Sequence, residues 1–333
     1  MNAAPRAPSL SIVIPAFNEE QRLARLIEQL ATHAEATAAN SGFRLLEAVI
    51  VDDGSSDRTS DLLREAAATH PYMHLVSTDR NRGKGAAIAA GVHAAHGDYV
   101  LLTDIDLSTP LGDLRDLARA VHDGAEIAIG SRVVRGSVVK DAPAYRKVLG
   151  QGFNLTVRAL TGLSFGDTQC GFKLLRTAAA RELLAVQMCR GWAYDVELLM
   201  RARLAGLEVV EVPVTYVHDS RSQMKVASAS VRMLLDVVGL SLRLRTRRLD
   251  RSADQSDRDS GRDAETGCDQ PGLEPHGQGE QLIEGARRER QLGAHAGPER
   301  LPQLSSDGDR RQQHGVEVRV ERGLPSISPH EGP

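Results

Sequence analysis

Four apolar runs, residues 10–15, 47–51, 74–77 and 98–102, each lead into a polar or acidic cluster: Phe17-Asn18-Glu19, Asp52-Asp53, Thr78-Asp79 and Thr103-Asp104-Ile105-Asp106. Each run is short, β-branched or Leu-rich and followed by a helical pattern, which predicts a buried parallel strand. In open α/β sheets ligands bind at the carboxyl ends of such strands. Carboxylates converging on that edge would repel one another and a bare phosphate. They become compatible when a divalent cation sits among them and a polyphosphate completes its coordination. The pattern therefore predicts a site for a metal-chelated nucleotide.

The helical segments carry their own signals. Asn18 is placed to cap a first helix whose opening turn holds Glu19 and Glu20, with Leu23, Leu26, Ile27 and Leu30 on one face. Gly54-Ser55-Ser56-Asp57 reads as a turn and cap before Leu62, Leu63 and Ala66. Gly83-Lys84-Gly85 opens an Ala-rich helix over 86–95, whose small side chains allow it to lie close to the sheet. Pro110 suits the first turn of the next helix, and 126–130 supplies a fifth strand. Several βα units in series predict an α/β fold, a right-handed, mostly parallel sheet with helices on both faces.

Beyond Arg132 the alternation loosens. Residues 133–143 read as a mobile loop leading into a helix over about 145–160, followed by a short strand near 168–175. A helix over 194–204 is stopped by Gly206, and an alternating strand runs over 207–216. A last helix is expected over about 226–249, apolar in its middle, interrupted by Asp236 and ending in Arg243, Arg245, Arg247 and Arg248. Two readings of it stand side by side, an interfacial helix meeting anionic lipid and a core-packed helix with a solvated basic end. From residue 250 to 333 Arg, Asp, Gln, Gly, Glu and Pro dominate and no apolar period survives, so a disordered tail is expected. Its blend also resembles a high-GC coding strand read out of frame.

Composition narrows the classes. With 333 residues and 41% hydrophobic content the chain has ample material for a sizeable core. A net charge of -3, dispersed Lys and Arg and 3% aromatic residues argue against nucleic acid as the main partner. Cys170, Cys189 and Cys268 have no metal-ligand spacing and cannot all pair, which suits a reduced, cytoplasmic setting. Residues 1–9 carry no secretory pattern, and no run approaches the roughly 20 apolar residues of a membrane span. Membrane contact is therefore expected to be peripheral.

An Asp-x-Asp triplet alone is a common turn. Here it follows the strand expected over 99–102 and is accompanied by Asp52-Asp53, which turns it toward metal chemistry. With Ile12-Val13-Ile14-Pro15-Ala16-Phe17-Asn18-Glu19-Glu20, Ile50-Val51-Asp52-Asp53-Gly54-Ser55-Ser56-Asp57 and Asp104-Ile105-Asp106, residues about 9–248 resemble the family 2 inverting glycosyltransferases of the GT-A fold. Asn81-Arg82-Gly83-Lys84-Gly85, residues 104–110 and Asp167-Thr168-Gln169-Cys170-Gly171-Phe172-Lys173 are similar to the dolichyl-phosphate (polyprenyl-phosphate) β-glucosyltransferase branch. Ser108 stands where mannosyl-phosphate synthases tend to carry Gln. Two positions depart from the pattern: Ile105 replaces the usual Ala between the aspartates, and the N-terminal anchor of eukaryotic members is not seen.

The resemblance implies a GT-A domain over 1–249, with a nucleotide-sugar half over about 9–130 and an acceptor half over about 131–249. It implies that Pro15, Phe17 and Glu19 line the nucleoside pocket, that Asp53 contacts the uracil, and that Asp104 and Asp106 hold Mg²⁺ or Mn²⁺ on the diphosphate. Lys84, at a helix start, suits a phosphate oxygen. Arg132 and Arg146 are the acceptor-side candidates, because guanidinium forks grip a phosphate monoester. Gln169 and Lys173 are expected to shape the pocket, with Cys170 buried, and Trp192, Asp195 and Glu197 to approach its rim. The implied reaction moves glucose from UDP-glucose to dolichyl or polyprenyl phosphate, with inversion, on the cytoplasmic face of a membrane. The alternatives are mannosyl transfer from GDP-mannose, a soluble acceptor, a nucleotidyltransferase, or a non-catalytic nucleotide-binding protein. A nucleotidyltransferase would carry a Gly-rich basic loop after the first strand, where this chain has Pro15-Ala16-Phe17-Asn18.

Overall fold

The computed structural model describes residues 6–141, 143–218, 232–243 and 319–321. All of them belong to one compact unit, and residues 247–317 lie outside the described residues. The chain begins with the expected alternation: β1 (Ser9–Ala16), α1 (Glu20–Asn40), β2 (Arg44–Asp52), α2 (Thr59–Thr69), β3 (Met73–Ser77), α3 (Lys84–Ala94) and β4 (Tyr99–Leu102). After Pro110 a 3-10 turn at Leu111–Asp113 leads into α4 (Leu114–His122) and β5 (Ile127–Ser131). The second half supplies β6 (Val138–Lys140), α5 (Ala144–Thr161), β7 (Lys173–Arg176), α6 (Thr177–Ala185), α7 (Tyr194–Leu204), β8 (Val209–Pro213) and β9 (Thr215–Val217). Residues 232–243 form a helix, α8, and β10 (Arg319–Glu321) follows much later in the chain.

Eight strands make one sheet in the order β10-β3-β2-β1-β4-β7-β5-β8, with β6 and β9 in a separate pair. Neighbours among β1 to β4 are parallel, as are β5 and β8, whereas β7 runs antiparallel to both β4 and β5. Because β7 is reversed between two strands that share a direction, its first residue meets their ends. Lys173 is in register with Leu102 of β4 and Ile129 of β5. The segment entering β7 therefore reaches the same sheet edge that β1, β2, β4 and β5 leave.

Alternation along the strands builds two cores, one on each face. Leu10, Ile12 and Ile14 pack with Leu23, Leu26 and Leu30 of α1, while Val13, Val49 and Val51 face Ala87, Ile88 and Val92 of α3. The small residues of α3 permit that approach: a Cβ on Gly91 would lie 2.5 Å from Val13 Cγ1.

Several expectations need correction. Asn18 does not cap α1; it sits at φ 54 and its side-chain oxygen accepts from Ser56 N at 2.8 Å. The N-terminus of α1 is instead satisfied from the β2–α2 loop and the first residue of α2: Thr59 Oγ1 accepts from Glu19 N and Asp57 Oδ2 from Glu20 N. Glu20 returns the contact by accepting from Arg58 N. The loop expected over 133–143 contains β6, paired in parallel with β9. The strand expected near 168–175 is confined to Lys173–Arg176, and the one expected over 207–216 breaks at Val214, leaving β8 and β9 in different sheets. Most of the segment expected to be a tail, and the ends of the last helix, lie outside the described residues. Within α8, Val237 and Leu240 are buried, whereas Leu235 and Leu242 are exposed.

Candidate active site

Strand ends and the register of β7 gather the polar side chains into a cavity of about 460 Å³ at the carboxyl edge of the sheet. Leu102 pairs with Val13, three residues before β1 ends. The chain leaving β4 consequently crosses in front of β1, with Thr103 N donating to Val13 O and Asp104, Ile105 and Asp106 forming one wall. Pro15, Phe17, Glu19 and Asp53 form a second wall, and Lys84, Arg132, Gln169, Cys170 and Gly171 complete the floor and far side.

Asp104 and Asp106 share the cavity but not the same electrostatic state. Lys84 Nζ lies 2.6 Å from Asp104 Oδ1. Burial alone would raise the Asp104 carboxyl, but the charge and hydrogen bond of Lys84, together with the Lys173 and Arg132 charges, outweigh it and hold the group below its ordinary range. Burial pushes Asp106 up, and the neighbouring Asp104 charge adds to that rise. Lys84 shows the converse balance. Burial would depress its ammonium, yet Asp104, Asp195 and Asp106 keep it above its usual value. Its Nζ also lies 4.8 Å from the Trp192 ring centroid and 5.8 Å from that of Tyr194.

Two hard carboxylates one residue apart fit a small divalent cation that takes its remaining oxygens from water and a ligand phosphate. Among the described residues no group of three or more His, Cys, Asp or Glu forms a closed metal cage. The donor set thus suits a cation bound jointly with its ligand. Gly171 packs against this pair so closely that a Cβ there would lie 2.3 Å from Asp104 Oδ2.

The other expected residues divide. Phe17 lines the cavity and stays 42% exposed, so it is not packed beneath α1. Glu19 lines the cavity while held by Arg22 at 3.0 Å, and Arg22, one turn into α1, is a lining residue that the sequence reading missed. Asp53 accepts from Arg82 N and Gly83 N at 2.9 and 2.7 Å, fixing the loop that presents Lys84. Gly83 sits there at φ 98, where a Cβ would come within 2.6 Å of Arg190 O. Asp52 and Asp79 do not line the cavity: the first accepts from Ser55 N to close a turn, and the second pairs with Arg82.

Arg132 follows β5 and turns into the cavity, where Asp167 accepts from its Nε at 2.6 Å and its Nη2 at 2.8 Å. Burial would depress this guanidinium, but Asp167 outweighs it, and the same pairing holds the Asp167 carboxyl down against the opposing effect of burial. Asp167 is fixed in turn through its backbone N–H, which donates to Glu211 Oε1 at 2.7 Å. The side chain of Arg146, near the start of α5, lies outside the described residues. Asp195 and Trp192 line the cavity, with Asp195 bound to fully buried Lys173. Glu197 does not reach the rim; it is buried, accepting from Met188 N and Cys189 N and pairing with Arg201. Burial pushes the Cys170 thiol up, which suits an inert core thiol rather than a nucleophile. Tyr216 and Met233, brought in by β9 and α8, are further lining residues not expected from the sequence.

Comparison with known proteins places this geometry. Residues 11–184 match the model described as Glycosyl transferase family 2. A dolichyl-phosphate beta-glucosyltransferase of Trichomonas vaginalis is 32% identical over 241 residues, 71% of this chain and 71% of that one. The Mus musculus enzyme of the same name is 32% identical over 247 residues, 71% of this chain and 76% of its own. Among solved structures, glucosyl-3-phosphoglycerate synthase from Mycobacterium tuberculosis in complex with phosphoglyceric acid has a TM-score of 0.52 at 18% identity, covering 70% of this chain and 80% of that one. The same enzyme in complex with Mn²⁺, uridine-diphosphate and glucosyl-3-phosphoglycerate has a TM-score of 0.51 at 17% identity, with the same coverage. These structures share the fold. The chain belongs to glycosyltransferase family 2 and is a glycosyltransferase.

Proposed function

We propose that the chain transfers glucose from UDP-glucose to dolichyl phosphate or a related polyprenyl phosphate, with inversion at the anomeric carbon and dependence on Mg²⁺ or Mn²⁺. The observation that carries this reading is one cavity in which Asp104, Asp106 and Lys84 lie between the Pro15–Phe17–Glu19–Asp53 wall and Arg132. The names of the relatives supply the acceptor and the sugar; the Mn²⁺ and uridine-diphosphate held by the structural relative fit the donor side.

On this reading Pro15, Phe17 and Glu19 border the nucleoside, and Asp53 acts at the uracil while holding the Arg82–Gly83 turn. A cation bound by Asp104 and Asp106 would neutralise charge on the departing diphosphate. Lys84 meets a phosphate oxygen from the start of α3. Arg132, together with Arg146, receives the acceptor phosphate. A lipid phosphate is anionic at neutral pH, so attack needs alignment and charge stabilisation, not a dedicated general base. Inversion follows from one in-line displacement. No helix among the described residues is long and apolar enough to cross a membrane. The exposed Leu149 and Leu155 of α5 and Leu235 and Leu242 of α8 suit peripheral contact with the cytoplasmic face.

A donor screen tests the reading: radiolabelled nucleotide sugars, dolichyl phosphate and Mn²⁺, counted in the lipid phase. Glucose from UDP-glucose is the expected label, lost in Asp106→Ala. Label from GDP-mannose in its place would overturn the donor assignment.

A further inference from the structure

Arg132 is held on more than one side. Asp167 engages Nε and Nη2, and the Tyr216 ring lies 5.3 Å from the guanidinium carbon. Among the described residues Nη1 has no hydrogen-bond partner, which leaves one edge of the fork for a ligand. Tyr216 lines the same cavity as Arg132 and Asp106.

The backbone around Tyr216 ties three parts of the site together. Val214 N donates to Ser131 O, beside Arg132. Val217 N donates to Ser108 O at 2.8 Å, and Ser108 N donates to Asp106 Oδ1 at 3.0 Å. β9 also pairs with β6, placing Tyr216 in register with Val139 of the segment that runs from Arg132 toward α5. A planar ring against a planar cation restrains the direction in which its free edge points, and a long arginine chain otherwise keeps considerable rotamer freedom.

We propose that Tyr216 is a positioning residue for acceptor recognition: with Asp167 it fixes the Arg132 guanidinium so that Nη1 faces the phosphate of the incoming lipid. The inference rests on the acceptor role assigned to Arg132 above. It assigns the ring, not the hydroxyl, the greater share of the effect, because the ring is what meets the cation.

The test compares Tyr216→Ala, Tyr216→Phe, Arg132→Ala and the Tyr216→Ala/Arg132→Ala double variant. The readouts are KM and kcat for dolichyl phosphate at saturating UDP-glucose and Mn²⁺, and the Kd for UDP with Mn²⁺ by calorimetry. Tyr216→Ala is expected to raise the acceptor KM about tenfold. Its UDP Kd stays within about twofold, well inside the energy of a single contact, which also reports an intact fold. Tyr216→Phe retains a near-native KM, and the double variant is no worse than Arg132→Ala alone. An unchanged KM in Tyr216→Ala, or additive losses in the double variant, would overturn the positioning role while leaving Arg132 as the acceptor residue. An unchanged KM in Arg132→Ala would instead overturn the acceptor assignment and the Tyr216 proposal with it. Equal loss of UDP affinity and acceptor KM would make Tyr216 a structural residue.

Discussion

Gly171 illustrates how much of the site depends on the absence of an atom. It precedes no tight turn of positive φ, and its constraint comes from Asp104, whose Oδ2 would stand 2.3 Å from an added Cβ. Gly171→Ala must therefore displace either the loop or the carboxylate. The expected outcome is a Mn²⁺ affinity weakened by about tenfold or more, as for other losses of support around metal ligands. Circular dichroism should remain close to native, because β4 and β7 are held by their own ladder. Mn²⁺ titration followed by electron paramagnetic resonance measures the first quantity, and an unchanged Kd would contradict the close packing. The Asp104–Ile105–Asp106 pair was readable from sequence because it follows a strand. The Gly171 contact was not, since 67 positions separate the two residues and only the reversal of β7 joins them.

At the scale of elements, the join between β7 and α7 rests on a buried ion pair. Lys173 is fully buried, donating to Cys170 O and pairing with Asp195 in the first turn of α7. Removing one member leaves the other charge buried and unpaired, which costs about 3–5 kcal/mol. Lys173→Met should thus lower the unfolding free energy by that order in urea titration, and Lys173→Met/Asp195→Leu should recover much of the loss. If the double variant is as unstable as the single, burial of a lone charge is not the cause. The βα units of the first half were legible because β-branched runs and Leu-spaced helices alternate there with turn residues. The second half was less so. Residues 168–172 include buried Thr168, Cys170 and Phe172, which mimics a strand, although the ladder starts at Lys173. β6 is only three residues long and its pairing with β9 is non-local, so no local period marks it. Asn18 carried a good capping side chain, but Ser55 and Asp57 of the adjoining β2–α2 loop and Thr59 at the start of α2 were on offer as partners for this turn. Tertiary partners outcompeted the local cap.

For the molecule as a whole, the described residues that line the cavity and build both sheet-flanking cores all precede residue 244. β10 forms the edge of the sheet, three residues antiparallel to β3 and several strands away from β4 and β5. A protein ending at Asp250 is therefore expected to bind UDP with Mn²⁺ as the full chain does, with a Tm lowered by no more than a few degrees, on the order of 1 kcal/mol. Calorimetric UDP titration and a thermal melt check this; loss of UDP binding would give the C-terminal segment a part in the site. The charge pattern was legible at this scale too, since carboxylates ending parallel strands had to meet at one edge. Their division of labour was not: Asp52 and Asp79 satisfy turns and an arginine, leaving Asp104 and Asp106 to face the cavity with Lys84. The most direct measurement is the structure, by NMR, of the lipid product formed from UDP-glucose, dolichyl phosphate and Mn²⁺. Glucose joined through its anomeric carbon to an oxygen of the lipid's single phosphate, in the β configuration, is the expected product, with UDP released; an α-linked product, or free glucose with the lipid phosphate unchanged, would contradict the proposed transfer.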